Sequence, residues 1–151
     1  MKFSTRARYG LQIMLELAYH YSRNPIYLKD IAARQDISLK YLEQLIIPLR
    51  VAGLVKNIRG TGGGYTLTRP PAEINALEIV STLEGPLNIV SCIEDESACQ
   101  KTDQCPLREV WEGLKDTLEN VLQKETLQDL YQKQLQYDKK DPRPIKRKSK
   151  K

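Results

Sequence analysis

The chain has 151 residues, 40% hydrophobic and 28% charged, with a net charge of +5, which suits one ordinary domain, or a small one plus an association element, around a modest core. No run approaches the ~20 apolar residues that cross a bilayer, and the N-terminus lacks a signal-peptide pattern, so a cytoplasmic protein with no membrane partner is expected. Three cysteines cannot close into a full set of intrachain disulfides, which argues against a secreted disulfide scaffold.

Residues 5–23 carry apolar side chains at Tyr9, Ile13, Leu17 and Tyr21, widened by Leu11, Met14, Leu15 and Ala18. Steps of three and four predict an amphipathic helix, capped by Ser4 or Thr5 and stopped by Asn24-Pro25. A short second helix is expected over 28–35, then a turn over 36–38. Ser38 is a good cap for a third helix over 39–52 whose buried stripe is Leu42, Leu45, Ile46 and Leu49. Pro48 should kink or tighten its last turn, and Gly53 ends it. Two β-prone runs, 54–58 and 65–68, flank a glycine-rich turn and read as a hairpin. Helix, helix, turn, helix, hairpin is the order of a winged helix-turn-helix.

Pro70-Pro71 marks the expected domain boundary. Asn75, with Glu78 three residues on, starts a short helix that ends at Glu84-Gly85-Pro86. Residues 89–105 hold all three cysteines without sustained periodicity and read as a loop that something must tie down. From Pro106 as first helical residue, Leu107, Val110, Trp111, Leu114, Leu118, Val121 and Leu122 recur at helical steps through residue 124. That stripe needs cover, and a second copy of the same helix supplies it economically; packing back on the first helix is the alternative. Thr126 caps a last short helix. The expected organisation is therefore mainly α with a small β-hairpin: a winged helix-turn-helix over 1–70, a short helix and cysteine loop over 71–105, a dimerisation helix and short C-terminal helix over 106–137, and a disordered basic tail over 138–151.

Charge is distributed to match. Residues 1–70 hold eleven Lys/Arg against four Asp/Glu, residues 71–137 five against thirteen, and the last fourteen eight against two. A basic first half marks the polyanion-binding surface. A helix presented after a tight turn enters the major groove with its first residues at the base edges; here these are Ser38, Lys40, Tyr41, Glu43 and Gln44. Gln44 suits adenine, Glu43 the cytosine amino group, and Lys40 guanine or phosphate. Arg59 at the hairpin tip suits a narrow minor groove, while Gly60 and Gly62 to Gly64 permit close backbone approach to phosphate. Lys2, Arg6 and Arg8 are further candidate phosphate contacts. Taken alone, these residues also read as a solvated helix face, and the glycine run as a nucleotide loop, although it lacks the Lys-Ser/Thr ending.

Cys92, Cys99 and Cys105 are spaced by six and five residues, unlike a zinc ribbon. Spacing leaves unligated thiols, zinc and an iron–sulfur cluster open, the last normally wanting four protein ligands. His20, the one histidine, lies near a helix C-terminus, which favours its charged form, and reads as structural. With no paired-carboxylate or nucleophile-elbow motif, an enzyme with a small-molecule substrate is not expected. A metal- or thiol-binding module that docks proteins is the rival from another class.

Thr5-Arg-Ala-Arg-Tyr-Gly10, Ser38-Leu-Lys-Tyr-Leu-Glu-Gln-Leu45, Gly53-Leu-Val, Arg59-Gly-Thr-Gly-Gly-Gly-Tyr65, Leu83-Glu-Gly85 and the three-cysteine loop together resemble the IscR/NsrR/CymR family of bacterial winged-helix transcription regulators, nearest its IscR members. The resemblance implies a homodimer through the long helix, binding to double-stranded promoter DNA by residues 38–44 and Arg59, and a 2Fe-2S cluster on Cys92, Cys99 and Cys105 that reports iron–sulfur status and controls cluster-assembly genes. Glu43 matches a glutamate that disfavours one class of site unless the cluster is present. The chain departs from the pattern where the histidine ligand falls on Arg108, leaving Glu94, Asp95, Glu96, Asp103, a partner residue or water for the fourth place. Arg8 stands where the NsrR members carry an aspartate ligand, against that branch. The alternative is a cluster-free, thiol-responsive repressor of cysteine metabolism like the CymR members, which lack the cysteine cluster.

Overall fold

Ser4 starts the first helix by accepting the Arg6 amide at 3.0 Å, the side-chain cap expected of a serine before a helical run. The computed structural model describes residues 3–101 and 104–140; Lys2, Asp103 and positions 141–151 of the predicted tail lie outside them. Helix α1 spans Thr5–His20 and buries Ala7, Gly10, Ile13, Met14, Leu17 and Ala18. It ends three residues earlier than its periodicity predicts, and the chain turns at 21–25 to bring Ile26 against the wing. There Ile26 and Tyr65 exchange backbone hydrogen bonds of 3.1 and 2.8 Å, an isolated antiparallel bridge with no signal in the local sequence.

Helix α2 (Leu28–Gln35) is followed by Asp36 in the left-handed conformation, φ 53°. Ser38 then caps α3 (Leu39–Val51) by accepting the Tyr41 amide at 3.1 Å. The helix continues through Pro48 and closes on Gly53, φ 74°, with the Leu54 amide bonded to the Leu49 carbonyl at 3.0 Å, a six-to-one closure that satisfies a helix-end acceptor. Strands β1 (Val55–Ile58) and β2 (Gly64–Leu67) pair antiparallel, Val55 opposite Leu67 and Ile58 opposite Gly64. Val55 and Leu67 face the core.

A 3₁₀ turn, Pro71–Glu73, leads to α4 (Ala76–Glu84), capped by Asn75, which accepts the Glu78 amide at 2.9 Å. Two residues of the Leu83-Glu-Gly85 string explain themselves here. The Leu83 side chain lies where a Cβ on Gly10 would stand, 2.0 Å from its Cδ1, so glycine lets α1 and α4 approach closely. The Glu84 carboxylate accepts from the Ser4 hydroxyl and, at 3.2 Å, from the Ala7 amide, so the end of α4 caps the start of α1. Arg69 also ties the hairpin's exit to α4 through Glu78, 2.6 Å.

The cysteine segment holds a short helix α5 (Ser91–Glu94) and a 3₁₀ turn (Glu96–Ala98). Helix α6 spans Arg108–Lys124 and α7 spans Leu127–Lys140. Helix α6 begins two residues later than predicted, with Pro106 in the preceding turn. Helix α7 is longer than predicted and runs into the expected tail, for the sequence offers good helix formers and no breaker before Asp141-Pro142. Its start is stitched to that of α4: the Ala76 amide donates to the Glu125 carbonyl and the Leu127 amide to the Ile74 carbonyl, both 2.8 Å.

One cluster of buried side chains therefore runs through α1, α2, α3, the wing, α4 and Leu127. A smaller one joins Ala7, Val80 and Leu87, with Leu122 of α6 packed against it. Helix α6 itself has no fully buried residue. No helix among the described residues is long and apolar enough to cross a membrane.

Candidate nucleic-acid interface

The buried stripe of α3 fixes what the helix offers outward. At about 100° per residue, burying Leu42, Leu45, Ile46 and Leu49 turns Lys40, Glu43, Gln44, Ile47 and Val51 to the opposite side, and all five are exposed. The predicted readout set divides accordingly. Lys40, Glu43 and Gln44 project from the molecule. Ser38 is exposed but spends one acceptor position on the helix cap. Tyr41 turns inward: it is half-buried against the core, edge-on to Tyr9 with ring centroids 5.8 Å apart, and so braces α3 on α1.

The wing brings Arg59 beside α3. Gly60 and Gly62 hold φ of 99° and 76°, and the Gly63 amide closes the turn on the Gly60 carbonyl at 2.9 Å. Gly64, φ 137°, lies so close to the Ile26 backbone that an added Cβ would stand 2.7 Å from its carbonyl carbon and oxygen. The string Arg59-Gly-Thr-Gly-Gly-Gly-Tyr65 thus combines an exposed arginine and a tight turn with a docking point for the segment before α2. Between these elements opens a cleft of about 550 Å³ lined by Tyr27, Lys29, Leu39, Glu43, Asn57, Arg59 and Gly60, among others. It gathers Glu43 and Arg59, sixteen positions apart in the chain, on one surface. Tyr27, Lys29 and Asn57 join them although no sequence motif marks them; Tyr27 and Lys29 stand at the start of α2, and Asn57 is exposed on β1 although it is two residues from buried Val55. Lys29 lies over the Tyr27 ring, 5.4 Å from its centroid.

Arg6 and Arg8 are exposed on the first turns of α1, outside the lining of this cleft. Arg8 lies over Tyr9, 5.0 Å from the ring centroid, and lines a groove of about 750 Å³ with Phe3, Leu11, Val80 and Leu122 among its walls.

The three cysteines are not joined in disulfides; Cys92 and Cys105 are half-buried and Cys99 is exposed. Among the described residues no group of three or more His, Cys, Asp or Glu is gathered about a metal-sized point. Of the carboxylates considered for a fourth ligand, Asp95 accepts the Ser97 amide at 2.9 Å and its hydroxyl at 2.6 Å, which holds its pKa below the ordinary value. Glu96 faces Arg108, whose guanidinium reaches it at 3.2 Å and Glu112 at 2.8 Å. The Glu112 hydrogen bond raises the Arg108 pKa, with Glu96 and Cys92 adding to it. Arg108 therefore clips the cysteine segment to the first turn of α6 by charge, where the resemblance led to a histidine ligand.

His20 departs from its expected charge state. Burial beneath its neighbours lowers its pKa, outweighing Glu16, and Arg34 lowers it further. Its Nε2 lies 2.9 Å from Arg34 Nη1 and 3.4 Å from Glu16 Oε1, and Gln35 of α2 also reaches Glu16, at 3.4 Å.

The Rrf2 family model, described as an iron-dependent transcriptional regulator, matches residues 3–133. The chain is 47% identical to the HTH-type transcriptional regulator CymR of Bacillus subtilis over 130 residues, 86% of this chain and 89% of that one. Against IscR of Photorhabdus laumondii the figures are 36% over 134 residues, 89% and 81%. Among solved structures, CymR, the global cysteine regulator of B. subtilis, superposes with a TM-score of 0.74 at 45% identity, covering 87% of this chain and 97% of that one. IscR of T. potens gives 0.71 at 41% identity, covering 89% and 88%. Identity thus runs higher to this CymR than to these two IscR proteins.

Proposed function

From the premise that the chain belongs to the Rrf2 family of transcriptional regulators, and is no enzyme, we propose that it is a homodimer that reads an operator with α3 and the wing and senses iron–sulfur status through its cysteine loop. The observation that carries the DNA reading is the single cleft onto which Lys29, Glu43 and Arg59 converge, in the half of the chain where basic residues predominate. The first turns of α3 supply base-edge contacts through Lys40, Glu43 and Gln44; Arg59 takes the minor groove beside them; Ser38, Gly60, Gly62, Tyr27 and Lys29 approach the backbone between the two. Arg6 and Arg8, at the start of α1, serve flanking phosphate. Dimerisation rests on α6, whose Val110, Leu114 and Val121 form with Leu107 just before it an exposed apolar ridge at helical spacing while its other side leans on α4.

Three thiolates are the soft donors that iron–sulfur centres take, so Cys92, Cys99 and Cys105 fit three places of a 2Fe-2S cluster. Arginine has only donors to offer, so the fourth ligand comes from elsewhere. The group would supply a redox centre sensitive to iron and oxidants. The protein's own part is to link the cysteine segment to α6 through Arg108, Glu96 and Glu112, so that the loop's arrangement bears on the start of the dimer helix. Protein purified without oxygen should be red-brown and contain iron and sulfide, and Cys92→Ser should abolish both. A colourless protein after anaerobic reconstitution would overturn the cluster.

A second reading, a cluster-free thiol sensor controlling cysteine metabolism, is favoured by the Arg108 ion pairs at the ligand position and by the identity to CymR, the global cysteine regulator of B. subtilis. It predicts the same operator binding, no iron, and a loss of binding on thiol oxidation that dithiothreitol reverses.

A further inference from the structure

The outward face of α3 carries two large apolar side chains that neither fold nor family explains. Ile47 is 50% exposed and Val51 81%, beyond Lys40, Glu43 and Gln44 on the side directly opposite the buried stripe. Ile47 continues the row of Gln44, three residues earlier, and of Glu43, four residues earlier. Three residues of helix advance about 4.5 Å, close to the roughly 3.4 Å between successive base pairs, so Gln44 and Ile47 address neighbouring steps of one groove.

We infer that Ile47 is a specificity-determining residue that packs on the 5-methyl group of a thymine next to the base pair read by Gln44. This rests on the reading of α3 as the recognition helix. The occupant follows from chemistry: the thymine methyl is the one apolar feature that base edges present in the major groove. The surroundings exclude an apolar protein partner as the better fit. Along the same helix Ile47 stands among polar side chains, with Lys40, Glu43 and Gln44 toward the helix start and exposed Arg50 on the adjoining flank, a setting that suits base edges and phosphate better than a hydrophobic protein surface. A β-branched side chain also arrives with its χ1 already fixed by the helix, so little freedom is lost on contact.

The test uses the full chain and duplexes that it selects from a random library. Each thymine of the selected sequence is replaced in turn by uracil, which lacks only the methyl. The wild type should lose about fourfold in affinity at one thymine, the size of one methyl group removed from a dry contact. Ile47→Ala should bind the thymine and uracil duplexes equally and, on reselection, lose its preference at that position; Ile47→Val should retain it. Because the side chain is half exposed, the melting temperature of the alanine variant should match the wild type. A methyl effect that persists in Ile47→Ala, or no methyl-sensitive thymine at all, overturns the inference. Failure of the DNA reading looks different: the wild type would select no sequence, or Gln44→Ala and Arg59→Ala would bind the selected duplex as tightly as the wild type.

Discussion

His20 shows how one side chain's surroundings set its behaviour. Its pKa is lowered from the ordinary 6.5, chiefly by burial. The unfolded chain therefore binds the proton more readily, and stability falls as pH drops below about 6.5 toward the folded value. Thermal unfolding followed from pH 7.5 to 5 should show that decline, and His20→Gln should flatten it. Arg34 and Glu16 shape the same site, so part of the decline passes through the contact that holds α2 on α1. At the interface, Gln44→Ala should cost about 1–3 kcal/mol on the selected operator and leave non-sequence-specific binding nearly intact. Anisotropy titrations with operator and scrambled duplexes check this, and equal losses on both would remove Gln44 from base readout.

Two elements depend on contacts their local sequence does not announce. The wing docks on the segment before α2 through the Ile26–Tyr65 bridge, and Gly64 sits against that backbone at a φ that disfavours any side chain. Gly64→Ala should cost about 1–3 kcal/mol in urea unfolding and speed amide exchange at Ile26 and Tyr65. Helix α7 is tied in at its first residue: Leu127 is 0% exposed and belongs to the same cluster as Ile13 and Leu49. Truncating it to alanine should cost about 2–5 kcal/mol, although it lies far along the chain from the wing. A loss under 1 kcal/mol in the same urea titration would show that α7 docks loosely.

Across the whole molecule, the ridge of α6 separates association from folding. Leu114 is 46% exposed in the single chain, so Leu114→Glu should leave the melting of dilute protein nearly unchanged while converting a dimer into a monomer in sedimentation. Operator affinity should fall with it, because two half-sites are then no longer held by one particle. A variant that stays dimeric would move the interface off this ridge. Charge works at the same scale. On the proposed reading the basic half of the chain binds DNA, so operator affinity should fall steeply with salt as phosphate contacts release counterions.

The sequence by itself determined six of the helices, though not the short α5 in the cysteine segment or the full length of α7, together with the caps at Ser4, Ser38 and Asn75, the hairpin and the outward face of α3. Periodicity, capping chemistry and glycine at left-handed positions are local causes, and they act wherever the segment lies. It placed Lys40, Glu43, Gln44 and Arg59 by the same logic. Only the tertiary structure decided that Tyr41 turns in to brace α1 and that Tyr27, Lys29 and Asn57 share the cleft with Arg59. The same holds for Glu84 capping α1, for Leu127 completing the core, and for Arg108 answering Glu96 across the cysteine segment. Each of those depends on which distant surfaces meet, and that is set by the packing of whole helices, for which no short stretch of residues carries the signal.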